Sequence, residues 1–454
     1  MVRSPFAKVV VIGLLALAFV LPLSFVQSVV SERQVRRDEA VKEMSQSWGA
    51  PQTLTGPYVA VPFRVTWETA EGKVATRLET LTILPEALEI TGTLVPEVRR
   101  RGLFAAVLYG LDVSVKGRFP KFSGNGVRVP DDAILWERAT LVLGLSDTRG
   151  IREKFALVWG GAPVDFAPSP FSELVDAGVH VNLPGLANSE SRDRGTEFSF
   201  QVHLSGSETL HFVPVARETA VSLSSTWPHP SFQGAFLPET RSISEAGFSA
   251  SWRVSHFGRN YPQEWRSDEL TGASVRASLE ASGFGLRFYR PADDYQQTTR
   301  ALKYGLLFVA LTFLTFFLFE LFSGLRLHPL QYLLVGSALA LFYLLLVSLS
   351  EHRGFPQAYG ISALAVVVVT SGYSAAILEK RLRAVSVAGL LSALYGYLFV
   401  LLRLETYALL MGALALFALL SLAMYLTRRV DWYAVAAPDS PARRDVPPRI
   451  PQGV

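Results

Sequence analysis

The sequence predicts a mixed membrane protein, with a large extracytoplasmic antiparallel β-sandwich domain and six transmembrane α-helices, one N-terminal and five C-terminal. Three observations predict this fold class. Residues 9–30 carry no charge, residues 51–295 alternate between polar and apolar in short segments, and five apolar spans follow residue 303. Half of the 454 residues are hydrophobic and 18% are charged. That composition excludes a disordered chain and argues against an all-soluble protein.

The first element is a transmembrane anchor over residues 1–30. A secretory signal has an apolar core of roughly 7–15 residues and a small-residue cleavage site, whereas the uncharged run 9–30 is longer and ends in a poor cleavage match. We therefore expect an uncleaved helix, bent at Pro22. Residues 31–48 are highly charged, yet Val41, Met44 and Trp48 follow helical spacing. They predict a helical stalk that ends near Gly49.

Residues 49–296 form the predicted β-domain. Segment 198–204 alternates strictly, segments 81–84, 111–115 and 220–223 have similar character, and turn clusters lie at 123–126 and 205–207. This pattern is typical of antiparallel strands in a sandwich of one or two lobes. We expect the scattered histidines to be core or edge residues; the alternative is that His203 and His211 approach each other across a hairpin. The chain contains no cysteine, which excludes disulfides, thiolate nucleophiles and Cys-ligated zinc.

The C-terminal part predicts five further membrane helices. The spans 304–322, 332–349, 359–378, 385–402 and 407–426 are apolar and close to the roughly 20 residues that a bilayer requires. Short linkers join them, so residues 297–429 are expected to form a compact bundle. The tail 430–454 is rich in proline and is predicted to be a disordered cytoplasmic segment.

Lysine and arginine set the orientation. With a cytoplasmic N-terminus, the inside segments hold eleven basic residues and the short outside loops hold two, Arg353 and Arg403. This bias predicts that both termini are cytoplasmic and that residues 31–303 are mostly extracytoplasmic. Residues 31–303 carry 30 basic and 32 acidic residues, so the basic excess lies beside the apolar spans. The expected partner is the lipid bilayer and not a nucleic acid.

Ordered motifs extend from about residue 45 to residue 360. They are Trp48-Gly49-Ala50-Pro51-Gln52, Ser146-Asp147-Thr148-Arg149-Gly150-Ile151, Trp227-Pro228-His229-Pro230-Ser231-Phe232, Arg300-Ala301-Leu302-Lys303-Tyr304-Gly305 and His328-Pro329-Leu330-Gln331-Tyr332. Together they resemble the CreD family of inner-membrane proteins. The resemblance implies a Gram-negative inner-membrane protein linked to cell envelope integrity and to a sensor-kinase regulon. It implies no agreed enzymatic activity and no cofactor.

Segment 256–265 is the richest polar cluster of the predicted outer domain. Arg259 and His256 would hold an anionic group, and Tyr261 and Trp265 would supply stacking faces, as in a glycan or headgroup site. We therefore predict a binding site made of His256, Arg259, Tyr261, Glu264 and Trp265. The alternative is a well-packed loop at a sheet edge.

A second predicted site is a seam where the β-domain meets the membrane. Its residues are Asp294, Tyr295, Arg300, Glu351 and His352. A histidine beside a carboxylate responds to protons at about pH 6–7. The alternative for Glu351-His352-Arg353 is a solvated helix cap that determines topology.

Several chemistries are excluded from the sequence. Gly372-Tyr373-Ser374 lies in a predicted span, but no predicted span holds a histidine that would activate the serine. We expect Gly372, Gly389 and Gly396 to allow close helix packing instead. Nucleotide loops, zinc helices and nucleophile elbows are missing from the sequence. The protein is therefore predicted not to be an enzyme, with no catalytic residue, metal or cofactor.

The predicted function is a non-catalytic contribution to cell envelope integrity or envelope stress response through the outer β-domain. The candidate partners of that domain are envelope proteins and cell-wall components. One alternative is a carrier or flippase-like protein for a lipid-linked envelope component, although Glu320 is expected near the cytoplasmic face and no span has a central charge. A weaker alternative is a carbohydrate-active enzyme, for which Asp268 and Glu269 are poor partners because adjacent strand residues point in opposite directions.

Overall fold

A computed structural model of the chain describes residues 5–68, 70–168, 174–289, 294–323, 327–377, 381–404 and 407–428. The chain divides into two compact units, a helix unit formed by Met1–Arg36 with Ala292–Val454 and a sheet unit formed by Arg37–Pro291. The tail predicted to be disordered, residues 430–454, lies outside the described residues.

The chain begins with two helices, α1 (Pro5–Ala18) and α2 (Val20–Trp48). The expected bend at Pro22 lies one turn earlier, at Phe19, because proline has no N–H to donate to the carbonyl of Ala18. Helix α2 then continues through the whole charged stretch to Trp48. The stalk, residues 31–48, is thus part of the same helix as the apolar segment before it.

The sheet unit contains two large sheets. The nine-stranded sheet consists of β1 (Gln52–Glu68), β2 (Val74–Ile83), β5 (Thr140–Leu145), β8 (Ala167–Pro168), β9 (Gly178–Asn182), β11 (Thr209–Val213), β13 (Pro230–Gly234), β16 (Glu264–Arg266) and β17 (Phe284–Phe288). The eight-stranded sheet consists of β3 (Ala87–Arg101), β4 (Phe104–Phe119), β6 (Ala156–Trp159), β7 (Ala162–Asp165), β10 (Thr196–Ser207), β12 (Glu218–Ser225), β14 (Thr240–Ser244) and β15 (Gly247–Ser255). Two helices accompany them, α3 (Ser189–Arg192) and α4 (Gly272–Ala281).

The strand pairing is mainly antiparallel, but two pairs are parallel. Strand β1 pairs in parallel with β11, and β3 pairs in parallel with β12. In each parallel pair, a long stretch of chain separates the two strands and supplies the crossover that parallel strands require. The purely antiparallel arrangement expected from the alternating pattern is therefore wrong, because periodicity along a strand carries no information about the direction of its neighbour.

The two sheets contribute to one hydrophobic core. Val59 and Leu141 of the nine-stranded sheet belong to the same buried cluster as Ile90, Val115 and Trp252 of the eight-stranded sheet. The alternative in which His203 approaches His211 is wrong, because β10 and β11 enter different sheets at Glu208. His203 instead contacts Asp112 of the neighbouring strand, at 2.5 Å.

Six helices follow the sheet unit: α5 (Asp294–Lys303), α6 (Gly305–Ser323), α7 (Pro329–Arg353), α8 (Phe355–Ile377), α9 (Arg381–Arg403) and α10 (Ala408–Thr427). Among the described residues, including those before the sheet unit, four helices are long and apolar enough to cross a membrane. The number is five if the pair Tyr295–Lys303 and Gly305–Glu320, bent by 43°, forms one span.

The buried face of α8 repeats at helical spacing and includes Tyr359, Ser362, Val366, Thr370 and Ser374. Gly372 lies about 200° around the helix from Thr370, and a Cβ added to it would meet no described atom within 4 Å. The same holds for Gly389 and Gly396. The expectation that these glycines pack against helices of this chain is therefore wrong.

Candidate functional site

The predicted binding segment 256–265 turns most of its functional groups inward. The Arg259 side chain is buried, and its guanidinium donates to the carbonyl oxygens of Tyr261 and Ala216 at 3.1 and 3.4 Å. It also bonds the Gln263 side chain and lies 4.4 Å from the centre of the Tyr261 ring. These contacts leave little of the guanidinium for an external anion.

The two aromatic side chains of the predicted site, Tyr261 and Trp265, belong to the core. The Tyr261 hydroxyl donates to the carbonyl oxygen of Pro214 at 3.0 Å and lies 3.1 Å from the Ser282 hydroxyl. Trp265 is 3% exposed and stands on β16, opposite Thr82 of β2. Burial raises the pKa of Glu264 on the same strand. Only His256 and Glu264 therefore remain as surface groups for the binding prediction.

In the helix unit, the structure brings together two of the five predicted seam residues. The Tyr295 hydroxyl on α5 donates to the Glu351 carboxylate on α7 at 2.8 Å. Arg33 of α2 lies 3.7 Å from the same carboxylate. We call Arg33, Tyr295 and Glu351 the helix anchor, because they join three helices around one buried carboxylate.

The other three predicted seam residues have different surroundings or lie outside the described part of the structure. His352 is exposed, and its ring nitrogen lies 3.1 Å from the Ser348 carbonyl oxygen. Arg300 stands in the last turn of α5. The side chain of Asp294 lies outside the described residues.

A second carboxylate joins helices at the other end of the helix unit. Glu320 of α6 bonds Lys8 of α1 and accepts a hydrogen bond from the Tyr332 hydroxyl at 3.3 Å. It also accepts the backbone N–H of Leu327 at 3.2 Å. The N-terminal helices are thus held by a carboxylate near each end of the apolar segment.

The most densely bonded polar cluster of the sheet unit lies where the stalk ends. The Asp147 carboxylate accepts the backbone N–H of Ala50 at 2.9 Å and two bonds from the Arg149 guanidinium at 2.9 and 3.1 Å. The buried Gln52 amide donates to the carbonyl oxygens of Asp147 and Ser205 at 2.8 and 3.1 Å. This set, residues 48–52 and 146–152 with Ser205, is called the stalk joint below.

Trp48, the last residue of α2, is held from two sides. The Arg99 and Arg152 guanidinium carbons lie 4.1 and 4.4 Å from the centre of its ring, a cation–π arrangement. Arg152 also donates to the Trp48 carbonyl oxygen at 2.8 Å, and the indole N–H donates to the carbonyl oxygen of Tyr109 at 3.3 Å. The helix end is thereby fixed to both sheets. Arg99 and Tyr109 belong to β3 and β4 of the eight-stranded sheet, and Gln52 begins β1 of the nine-stranded sheet.

Close backbone approach makes the joint intolerant of side chains. A Cβ on Gly49 would lie 2.5 Å from the Ser205 carbonyl oxygen, and one on Gly150 would lie 2.4 Å from the same atom. Partial burial alone would raise the pKa of Asp147. The hydrogen bonds from Arg149 and Ala50 outweigh it, so the pKa of Asp147 lies below its ordinary value.

Sequence reasoning missed the stalk joint as a site. Its two motifs, around Trp48 and around Asp147, were recognised only as separate segments that resemble a family. Nothing in the sequence states that residues about 100 positions apart meet, and Arg99, Arg152 and Ser205 stand in no recognised motif. The sequence contained one signal for the joint: both motifs lie at chain positions where strands begin or end.

The fold and these clusters define a class: a membrane protein in which a large β-sheet unit is inserted between an N-terminal apolar helix and further apolar helices. A family described as "Inner membrane protein CreD" matches residues 4–433. The chain is also similar to "Inner membrane protein CreD" of Escherichia coli (strain K12), with 34% identity over 450 residues that cover 98% of each chain. The chain belongs to the CreD family of inner membrane proteins, which confirms the resemblance.

Proposed function

We propose that this protein supports cell envelope integrity as a non-catalytic adaptor. A periplasmic β-sandwich would report a periplasmic state to the membrane helices through α2. In this proposal six helices cross the membrane, both termini are cytoplasmic, and residues 31–303 are mostly periplasmic. Envelope proteins and cell-wall components are the partners of the outer domain.

The continuous helix α2 carries the proposal. Its last residue, Trp48, is fixed in the stalk joint, and Arg33 contributes to the helix anchor. A helical segment held at two points, here Arg33 and Trp48, transmits rotation or tilt between them, whereas a flexible linker does not. The Asp147 bonds to the backbone N–H groups of Ala50 and Arg149 make the outer attachment rigid.

Breaking the stalk helix without changing its length tests the adaptor. Glu39 is an exposed residue of α2. Glu39→Pro removes one helical hydrogen bond and costs about 3 kcal/mol of helix stability. Glu39→Ala removes the same charge and keeps the helix, so it is the matched control.

The readout is envelope permeability to a fluorescent dye in cells that carry only the variant. We expect Glu39→Pro to lose protection while the protein still inserts and its sheet unit still resists protease. Glu39→Ala should protect like the wild type. Equal protection by the proline variant would contradict coupling through the helix.

A carrier for a lipid-linked component is the second candidate, and one observation favours it. The buried hydroxyls of Tyr343, Ser362, Thr370 and Ser371 have no hydrogen-bond partner among the described residues, and such groups are costly in a bilayer. Mass spectrometry of the full chain, extracted into native lipid discs, tests this function. A lipid-linked precursor that co-purifies with the wild type and is lost in Ser362→Ala would favour the carrier, and its absence would count against it.

A further inference from the structure

One face of the eight-stranded sheet carries hydroxyl side chains in register across four strands. Thr91 of β3 lies opposite Ser222 of β12, which lies opposite Ser251 of β15, which lies opposite Thr240 of β14. A second row, two residues along each strand, again consists only of Ser and Thr. Both rows face solvent, and a shallow trough of about 440 Å³ lies over them.

This composition is unusual for a solvated sheet face. Exposed sheets and their edges ordinarily carry charged residues that prevent strand-to-strand association. The two rows contain no charged residue, and the edge strand β14 is exposed along its whole length. Arg241 of β14 is the one charged residue among the described residues that line the trough over these rows. A sheet face with so few charges indicates a surface that is covered in use.

A second trough of about 670 Å³ continues on the same face. It shares β3 and β12 with the first and is lined by three acidic and three basic side chains: Glu89, Glu197, Glu218, Lys116, Arg118 and Arg253. The balanced charge offers no attraction to a strongly anionic polymer. It suits a ligand that is neutral or carries paired opposite charges.

An exposed aromatic ring follows the strand that lines this trough. Strand β15 leads from Arg253 into the single turn His256–Gly258, where Phe257 is 88% exposed. The His256 ring stacks against it with a centroid distance of 4.1 Å. A ring that is almost fully exposed provides a flat apolar face for another ring.

We propose that this face binds a polysaccharide of balanced charge, the chemistry of a cell-wall glycan that carries short peptides. Hydroxyl side chains donate and accept hydrogen bonds, and they match the hydroxyls and amides of such a chain. The Phe257 ring stacks on the apolar face of one sugar. The row of four strands spans about 14 Å at the usual strand spacing, which is long enough for several sugar units. The inference rests on the proposed periplasmic location of the sheet unit.

The test uses the full chain in lipid discs and two probes, purified cell-wall sacculi in a sedimentation assay and chitohexaose in calorimetry. The double variant Ser222→Glu, Ser251→Glu places two carboxylates in the middle of the hydroxyl rows. Phe257→Ala removes the ring. Ala273→Glu, at an exposed position of α4 in the same unit, is the matched control for added charge. Thermal unfolding of each variant checks that the sheet unit is intact.

We expect the wild type to bind both probes. The double variant should weaken binding at least about tenfold and Phe257→Ala about fivefold, while Ala273→Glu stays within about twofold. A wild type that binds neither probe, or face variants that bind as well as the wild type, would overturn the proposal. Loss of a protein partner in the face variants, without glycan binding by the wild type, would also overturn it. Glu39 lies outside this face. A Glu39→Pro result that contradicts the adaptor proposal therefore leaves the glycan-binding test unaffected.

Discussion

Helix α2 is attached through two carboxylates that work differently. In the sheet unit, Asp147 binds backbone N–H groups of Ala50 and Arg149, and its position is therefore set by the main chain. In the helix unit, the contacts of Glu351 within the described part of the chain are to side chains, the Tyr295 hydroxyl at 2.8 Å and Arg33 at 3.7 Å. A carboxylate held by backbone is a fixed attachment, whereas one held by rotatable side chains can exchange partners. We therefore expect the attachment at the stalk joint to be the stronger of the two.

The largest expected effect is the loss of Asp147. Asp147→Ala leaves the half-buried N–H of Ala50 without its acceptor and removes the partner of the exposed Arg149 guanidinium. We expect the sheet unit to lose about 2 kcal/mol of unfolding free energy. The measurement is chemical denaturation of the full chain in lipid discs, followed through tryptophan fluorescence.

Asp268→Ala is the matched control for this variant. Asp268 pairs with Arg266 two residues away, as Asp147 pairs with Arg149, but it bonds its own backbone N–H and not that of a distant segment. We expect a loss below about 1 kcal/mol. Equal losses in the two variants would mean that the attachment to Ala50 contributes nothing.

Acid should weaken the fixed attachment. The folded pKa of Asp147 lies below its ordinary value, so its charge stabilises the fold above about pH 4, and this contribution disappears as the pH falls through the folded pKa. The stability difference between wild type and Asp147→Asn should be largest at pH 7 and narrow below about pH 4. A difference that stays constant over this range would contradict the assignment.

The helix anchor should show a smaller effect. Glu351→Gln weakens the bond from Tyr295 and removes the attraction to Arg33, and we expect about 1 kcal/mol. Tyr295→Phe should cost a similar amount, and the double variant should cost little more than either single variant. Thermal unfolding in lipid discs measures all three. Additive losses would show that the two side chains do not depend on each other.

Arg33→Gln should have the smallest effect, below about 0.5 kcal/mol, because Arg33 is 40% exposed and 3.7 Å from the carboxylate. Arg36→Gln, which removes a fully surface pair with Glu32, provides the comparison. A loss of unfolding free energy above about 1 kcal/mol for Arg33→Gln alone would show that the helix anchor is as rigid as the stalk joint.

Local pattern predicted much of the fold but not its long-range contacts. The length of the uncharged segments predicted the apolar helices, and the alternation of polar and apolar residues predicted strands such as β10. Both patterns depend only on residues that are neighbours in the sequence. The parallel pairing of β3 with β12 and the separation of His203 from His211 depend on residues far apart in the chain. Periodicity does not encode them.

The same distinction applies to the sites. Segment 256–265 attracted a binding prediction because polar and aromatic residues are concentrated there, yet the structure uses Arg259 and Tyr261 to bond backbone carbonyls inside the unit. The stalk joint combines residues between positions 48 and 205, so no cluster of neighbouring residues in the sequence predicted it. Polar density in sequence does not separate a surface site from a satisfied interior network.

Hydrogen–deuterium exchange on the full chain in native lipid discs tests the central claim most directly. If the part of α2 between Arg33 and Trp48 is one continuous element, the amides of residues 31–48 should exchange as slowly as those of β1. Asp147→Ala should then release residues 40–48 and leave the apolar part of the helix protected. Fast exchange of residues 31–48 in the wild type, with protection returning only at Gln52, would contradict the account.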